Sequence, residues 1–137
     1  MKTLRFTYRM SLKFDMPVCE HYFTLRCVPV SNDVQEITNV ILLDLDGLKY
    51  INDTFGHKEG DNAIKVCAEA LKKHCPEDAL CSRIGGDELV AWFSGTYDAD
   101  KLKKEIYAAF EEYNAVSGKD YKVAASFGMI SSTEYRG

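Results

Sequence analysis

The sequence predicts an α+β fold: an antiparallel sheet with helices on one face, its elements ordered βαββαβ, preceded by an N-terminal β-hairpin. Three observations carry this. Residues 40–45 form a run apolar at every position but Asp44, the mark of a strand buried in mid-sheet. Gly85-Gly86 joins two β-like runs, 80–84 and 88–93. Two segments with apolar residues at helical spacing separate these strands from one another and from a last strand, 121–130.

In chain order, residues 4–15 alternate strictly, with Leu4, Phe6, Tyr8, Met10, Leu12 and Phe14 apolar or aromatic and the residues between them polar. That is the period of a half-buried strand. Asp15-Met-Pro-Val breaks it, and a second strand-forming run, 21–28, stops at Pro29, which makes a hairpin or a neighbouring pair. Residues 31–39 are polar and read as a linker, so the chain divides into an N-terminal segment, 1–38, and a domain, 39–137. After the strand at 40–45, residues 47–61 read as a loop rich in turn formers. Asp61 then caps a helix whose Ile64, Cys67, Ala68 and Leu71 share one face. The Gly-Gly hairpin follows, both glycines being free to take φ > 0. Asp98 or Asp100 caps a second helix with Leu102, Ile106, Ala109, Phe110 and Tyr113 on its inner face, ended by Ser117-Gly118. This order is the ferredoxin-like plan.

Composition narrows the function. The 137 residues are 46% hydrophobic and 28% charged, ordinary for a globular protein with one core. A net charge of −4 argues against a nucleic-acid partner, but an anionic nucleotide could bind through a divalent cation. No apolar run has membrane-spanning length and no signal peptide is evident. The five cysteines include no C-x-x-C pair and read as reduced, buried residues, so a cytoplasmic location is expected.

In this plan the first strand lies beside the third, so Asp44 and Asp46, ending the first, meet Asp87 and Glu88, starting the third. Clustered carboxylates need a cation, and hard oxygen ligands suit Mg²⁺ or Mn²⁺. A two-residue hairpin would set Ile84 opposite Asp87 and Arg83 opposite Glu88. Glu88 then has two readings, an ion pair with Arg83 or a metal role. Asp87, without such a partner, is expected as a ligand opposite Asp44, and Asp46 as a loop or helix-capping carboxylate. Lys49 lies near enough to the edge to meet a phosphate. Asn52 and Asp61 could read a guanine edge, the amide offering donor and acceptor and the carboxylate accepting from N1–H and N2–H. Taken alone, Asn52 reads first as a turn former and Asp61 as a cap. His57 reads as a loop hydrogen-bonding residue.

Asp44-Leu-Asp-Gly-Leu-Lys-Tyr-Ile-Asn-Asp-Thr-Phe-Gly-His-Lys-Glu-Gly-Asp61, followed by Arg83-Ile-Gly-Gly-Asp-Glu-Leu89, closely resembles the GGDEF domain of diguanylate cyclases over residues 39–130. The resemblance implies a palm-type sheet that condenses two GTP molecules into cyclic di-GMP with release of pyrophosphate. It makes Asp44, the Leu45 carbonyl and Asp87 metal ligands, Asp87 also the base for the attacking 3′-hydroxyl, and Glu88 a second signature carboxylate. It assigns Asn52 and Asp61 to guanine, which reverses their reading as turn and cap, and Lys49 to phosphate charge. Gly85 and Gly86 would let the backbone approach the nucleotide. The implied partners are GTP and a second GGDEF domain, one GTP being held by each. The metal would be Mg²⁺ or Mn²⁺, and the setting bacterial signalling.

Three departures qualify the resemblance. Leu89 replaces the signature phenylalanine. The R-x-x-D product-inhibition motif, which would fall at Pro76 to Ala79, is absent. The family also carries a basic triphosphate-holding helix and a final strand beyond the segment matching Ser126-Phe-Gly128, so an incomplete domain that binds GTP–Mg²⁺ or a protein partner without turnover is the alternative expectation. Residues 1–36 lack the family's usual lead-in and resemble instead the N-terminal β-region of bacterial transglutaminase-like proteins, through residues 8–21 and 23–27. No Cys-His-Asp core of that family follows, and no activity is carried over.

Overall fold

The computed structural model describes residues 39–131. The N-terminal hairpin and the transglutaminase-like resemblance lie outside them. The elements are β1 (Asn39–Leu45), α1 (Leu48–Phe55), α2 (His57–His74), β2 (Leu80–Arg83), β3 (Glu88–Phe93), α3 (Ala99–Val116) and β4 (Ala125–Ser131). The four strands make one sheet in the order β2-β3-β1-β4, every neighbouring pair antiparallel. The expected α+β architecture is therefore present, with β1 beside β3 and one additional helix, α1.

The core lies between one sheet face and the helices. Ile41, Leu43 and Leu45 of β1 and Leu89, Ala91 and Phe93 of β3 point the same way and pack with Cys67 and Leu71 of α2 and Leu102, Ile106 and Phe110 of α3. Ile106 is fully buried, and burial of one such side chain is worth about 1.5–3 kcal/mol. The Asp98 carboxylate accepts from the Lys101 N–H at 3.0 Å and caps α3 as expected; Ser117 and Gly118 (φ 64°) end it.

The segment 47–61, expected as a loop, is helical. Gly47 takes φ 69° and lets the chain turn from β1 directly into α1. Leu48, Ile51 and Phe55, at i, i+3 and i+7, face the core, and Ile51 is buried. Packing of that stripe outweighs the modest helix propensity of Asn52-Asp53-Thr54. Gly56, at φ 93°, breaks the path between α1 and α2. As a result α2 starts at His57, so Asp61 sits inside the helix and does not cap it; Gly56 is at the cap position with no side-chain bond. His57 likewise opens α2.

β4 begins at Ala125, later than residue 121. Just before it, the Asn114 side chain donates to the Val123 carbonyl and accepts from its N–H, both at 2.8 Å. A side chain from α3 thus takes the place of a neighbouring strand there.

Candidate nucleotide site

The end of β1 meets the β2–β3 turn at one edge of the sheet, and α1, which follows β1 directly, packs on the first turns of α2. The hairpin register differs from the expected one by a residue. Arg83 pairs with Leu89, and the Ile84 N–H donates to the Glu88 carbonyl at 2.9 Å, so Gly85, Gly86 and Asp87 form a three-residue turn. The shift has two consequences. Arg83 does not face Glu88; its guanidinium donates to the Gly85 carbonyl at 3.0 Å and to the Gly86 carbonyl at 2.6 Å, bracing the turn. And Glu88, not Asp87, is the partner of Asp44 across β1 and β3. Directly opposed residues of an antiparallel pair share a face, so the carboxylates of Asp44 and Glu88 project to the same side. Asp87 stands one residue further out, exposed, its carbonyl accepting from the Leu45 N–H at 2.9 Å. The Leu45 carbonyl lies on the same edge of its strand as that N–H and is directed toward the same turn.

Neither Gly85 nor Gly86 takes positive φ. A Cβ on Gly85 would meet a Glu88 carboxylate oxygen at 2.4 Å, the end of a side chain that can rotate away. A Cβ on Gly86 would meet nothing within 4 Å, so this backbone faces open space.

Asn52 and Asp61 are brought together through Gly60. A Cβ on Gly60 would lie 1.9 Å from Asn52 Oδ1, so the amide of α1 rests directly on the glycine of α2, with exposed Asp61 next along the helix. Lys49 is exposed and paired with Asp53 one turn along α1. Asp46 turns toward β4: its N–H donates to the Ala124 carbonyl at 2.9 Å and its carboxylate accepts from the Ser126 hydroxyl at 3.1 Å, so it caps no helix. Among the described residues no three His, Cys, Asp or Glu side chains gather into a group able to hold a metal by themselves.

Sequence reasoning missed a polar network behind α2. Tyr121 Oη donates to Glu59 Oε2 at 2.7 Å and accepts from Asn62 Nδ2 at 3.2 Å; Asn62 also donates to the Tyr113 hydroxyl at 2.6 Å, and Lys119 Nζ binds Glu59 Oε1 at 2.9 Å. The bonds from Lys119 and Tyr121 hold the Glu59 carboxyl below its ordinary range, while burial pushes the Tyr121 hydroxyl up to about 12 and keeps it a donor. No periodicity marks these residues; partners some sixty positions apart meet only in the fold.

The family profile of the diguanylate cyclase GGDEF domain matches residues 20–137. The chain belongs to the GGDEF domain family. Its GGDEF fold is similar to the GGDEF domain of TpbB (YfiN) from Pseudomonas aeruginosa, with TM-score 0.58 and 24% identity over 69% of this chain and 57% of that one. That likeness establishes the palm-type fold alone. In sequence the domain is 31% identical to signaling protein YkoW of Bacillus subtilis over 69% of this chain, and 27% identical to diguanylate cyclase A of Treponema denticola over 82%. It spans 12% and 30% of those two proteins. No described helix of this GGDEF domain is long and apolar enough to cross a membrane.

Proposed function

We propose that this GGDEF domain is a diguanylate cyclase domain, condensing two GTP into cyclic di-GMP and two pyrophosphates by attack of a 3′-hydroxyl on an α-phosphate. The observation that carries the reading is the register that sets Asp44 and Glu88 on one face, with the Leu45 N–H tied to the Asp87 carbonyl of the turn. All the donors there are hard oxygens, which fits a divalent cation. Asp44 and Glu88 on that face, with the Leu45 carbonyl and Asp87 at the adjoining turn, would hold Mg²⁺ or Mn²⁺, the remaining ligands coming from substrate phosphates, as is usual for Mg²⁺. Bound there, the ion would neutralise phosphate charge and polarise the α-phosphate.

The chain's own groups supply the rest. Asp87 accepts the proton of the attacking hydroxyl, and Glu88 adds the second signature carboxylate. Gly86, open to solvent, lets the phosphates approach the backbone. Asn52 and Asp61 read the guanine edge and so fix the sugar and phosphates in register. Lys49 offsets phosphate charge once released from Asp53. Each domain holds one GTP, so two domains face one another. Similarity to diguanylate cyclase A supports the reading. The test is incubation of the purified chain with GTP and Mg²⁺ or Mn²⁺ across protein concentrations. Cyclic di-GMP rising more than linearly with protein supports it; no cyclic product at any concentration rejects turnover.

A second reading is GTP–Mg²⁺ binding without turnover; the Lys49–Asp53 pair, exposed and one helical turn apart, is too weak to decide between them. Calorimetry separates the two. GTP binding lost in Asp87→Ala, with no product from the wild type, selects the second.

A further inference from the structure

Tyr121 touches both helices of the candidate guanine pair. Its ring packs against Phe55, the last residue of α1, with centroids 5.3 Å apart. Its hydroxyl bonds the first turns of α2 on both sides of Gly60-Asp61: to the Glu59 carboxylate at 2.7 Å, to the Glu59 carbonyl at 3.3 Å and to the Asn62 amide at 3.2 Å. Asn52 belongs to α1 and Asp61 to α2, and between them Gly56 is a flexible break. Lys119, two residues before Tyr121, adds a second tie to Glu59 at 2.9 Å, and Tyr113 of α3 a second tie to Asn62 at 2.6 Å. Tyr121 is itself buried, so its hydroxyl has a fixed origin.

We infer that Tyr121 is a positioning residue for guanine selection, clamping α1 to α2 so that Asn52 and Asp61 keep the spacing of a purine edge. The inference rests on the guanine reading of that pair. The hydroxyl does not touch the nucleotide; it sets the orientation of the α2 turn that presents Asp61. The exocyclic 2-amino group of guanine is the feature Asp61 would accept from, so a loosened clamp weakens the preference for guanine over hypoxanthine before it weakens phosphate binding.

The experiment is calorimetric binding of the α,β-methylene analogues of GTP and ITP, with Mg²⁺, to wild type, Tyr121→Phe and Asn62→Ala. Tyr121→Phe keeps the ring contact with Phe55 and removes only the hydroxyl. Displacing Asp61 costs guanine its N1–H and N2–H bonds but hypoxanthine its N1–H bond alone, so the GTP analogue weakens about fivefold more than the ITP analogue and the discrimination ratio falls by about that factor. Asn62→Ala shifts the ratio in the same direction and guards against misfolding of the first variant. Equal weakening of both analogues, or a lower melting temperature with the ratio intact, assigns Tyr121 a structural role and overturns the inference. A wild-type chain that does not prefer the GTP analogue overturns the guanine reading itself. A wild type that prefers it and a Tyr121→Phe variant that prefers it equally overturns only the clamp.

Discussion

Replacing Gly60 by alanine is the sharpest probe of the nucleotide pocket, because it separates stability from binding. The added methyl would lie 1.9 Å from Asn52 Oδ1, 2.8 Å from Asn52 Cγ and 3.2 Å from Leu48 Cδ1. The first two distances are well inside van der Waals contact, and both atoms belong to a side chain that can rotate. Asn52 must therefore swing off its site, while Leu48 needs to give little. Gly60 is helical and does not take positive φ, so alanine fits the backbone and adds up to about 1 kcal/mol of helix propensity. Repacking costs about 1–3 kcal/mol. The net stability change is then a loss of at most about 3 kcal/mol. Binding responds more steeply: displacing the amide removes its hydrogen bonds to the base, and two bonds at about 1 kcal/mol each weaken GTP about thirtyfold. Thermal unfolding reads the first quantity and calorimetry with the GTP analogue the second. Asn52→Ala should weaken binding as much, and the double variant no more than either single one, because both act through one amide. Wild-type affinity in Gly60→Ala, or single losses that add in the double variant, would refute the argument.

Three further outcomes follow from the same geometry. Glu59 has a depressed folded pKa, so its contribution to stability is present above its unfolded pKa and lost as pH falls through the folded value; Glu59→Gln should lower the melting temperature at neutral pH and converge with wild type in acid, read by melts from pH 7 downward. Burial pushes the Cys67 and Cys75 thiols up to about 12, so peptide mapping after iodoacetamide at pH 8 should find both unmodified in folded protein and labelled once it is unfolded. Ile106→Ala empties the junction of α3 with the sheet and should cost about 2–5 kcal/mol in denaturant unfolding; a loss below 1 kcal/mol would place that helix outside the core.

Much of the fold was legible in local pattern. The apolar run at β1, the hairpin at Gly85-Gly86 and the stripe of Leu102, Ile106 and Phe110 each state their element through spacing alone, while the structure chose Asp98 over Asp100 as the cap. Where the reading failed, a local signal lost to packing. Asn52-Asp53-Thr54 and the glycines around them suggest a loop, but buried Ile51 and half-buried Leu48 and Phe55 pack on the core as a helical stripe. Asp61 has the chemistry of a cap, but Gly56 starts the helix five residues earlier. Residues 121–124 have strand composition, but Asn114 takes the backbone bonds of Val123.

The strand order and the convergence of Asp44 with the Gly85-Gly86-Asp87-Glu88 turn were determined by sequence, because strand order follows from connection length and handedness. Which carboxylate opposes Asp44 was decided by tertiary structure. A single residue added to the turn exchanges Asp87 for Glu88 and releases Arg83 to brace the turn, and nothing within the hairpin sequence distinguishes the two registers. The contact of Asn52 with Gly60 and the grip of Tyr121 on α1 and α2 belong to the same class. They join residues on different elements, and no local pattern records them.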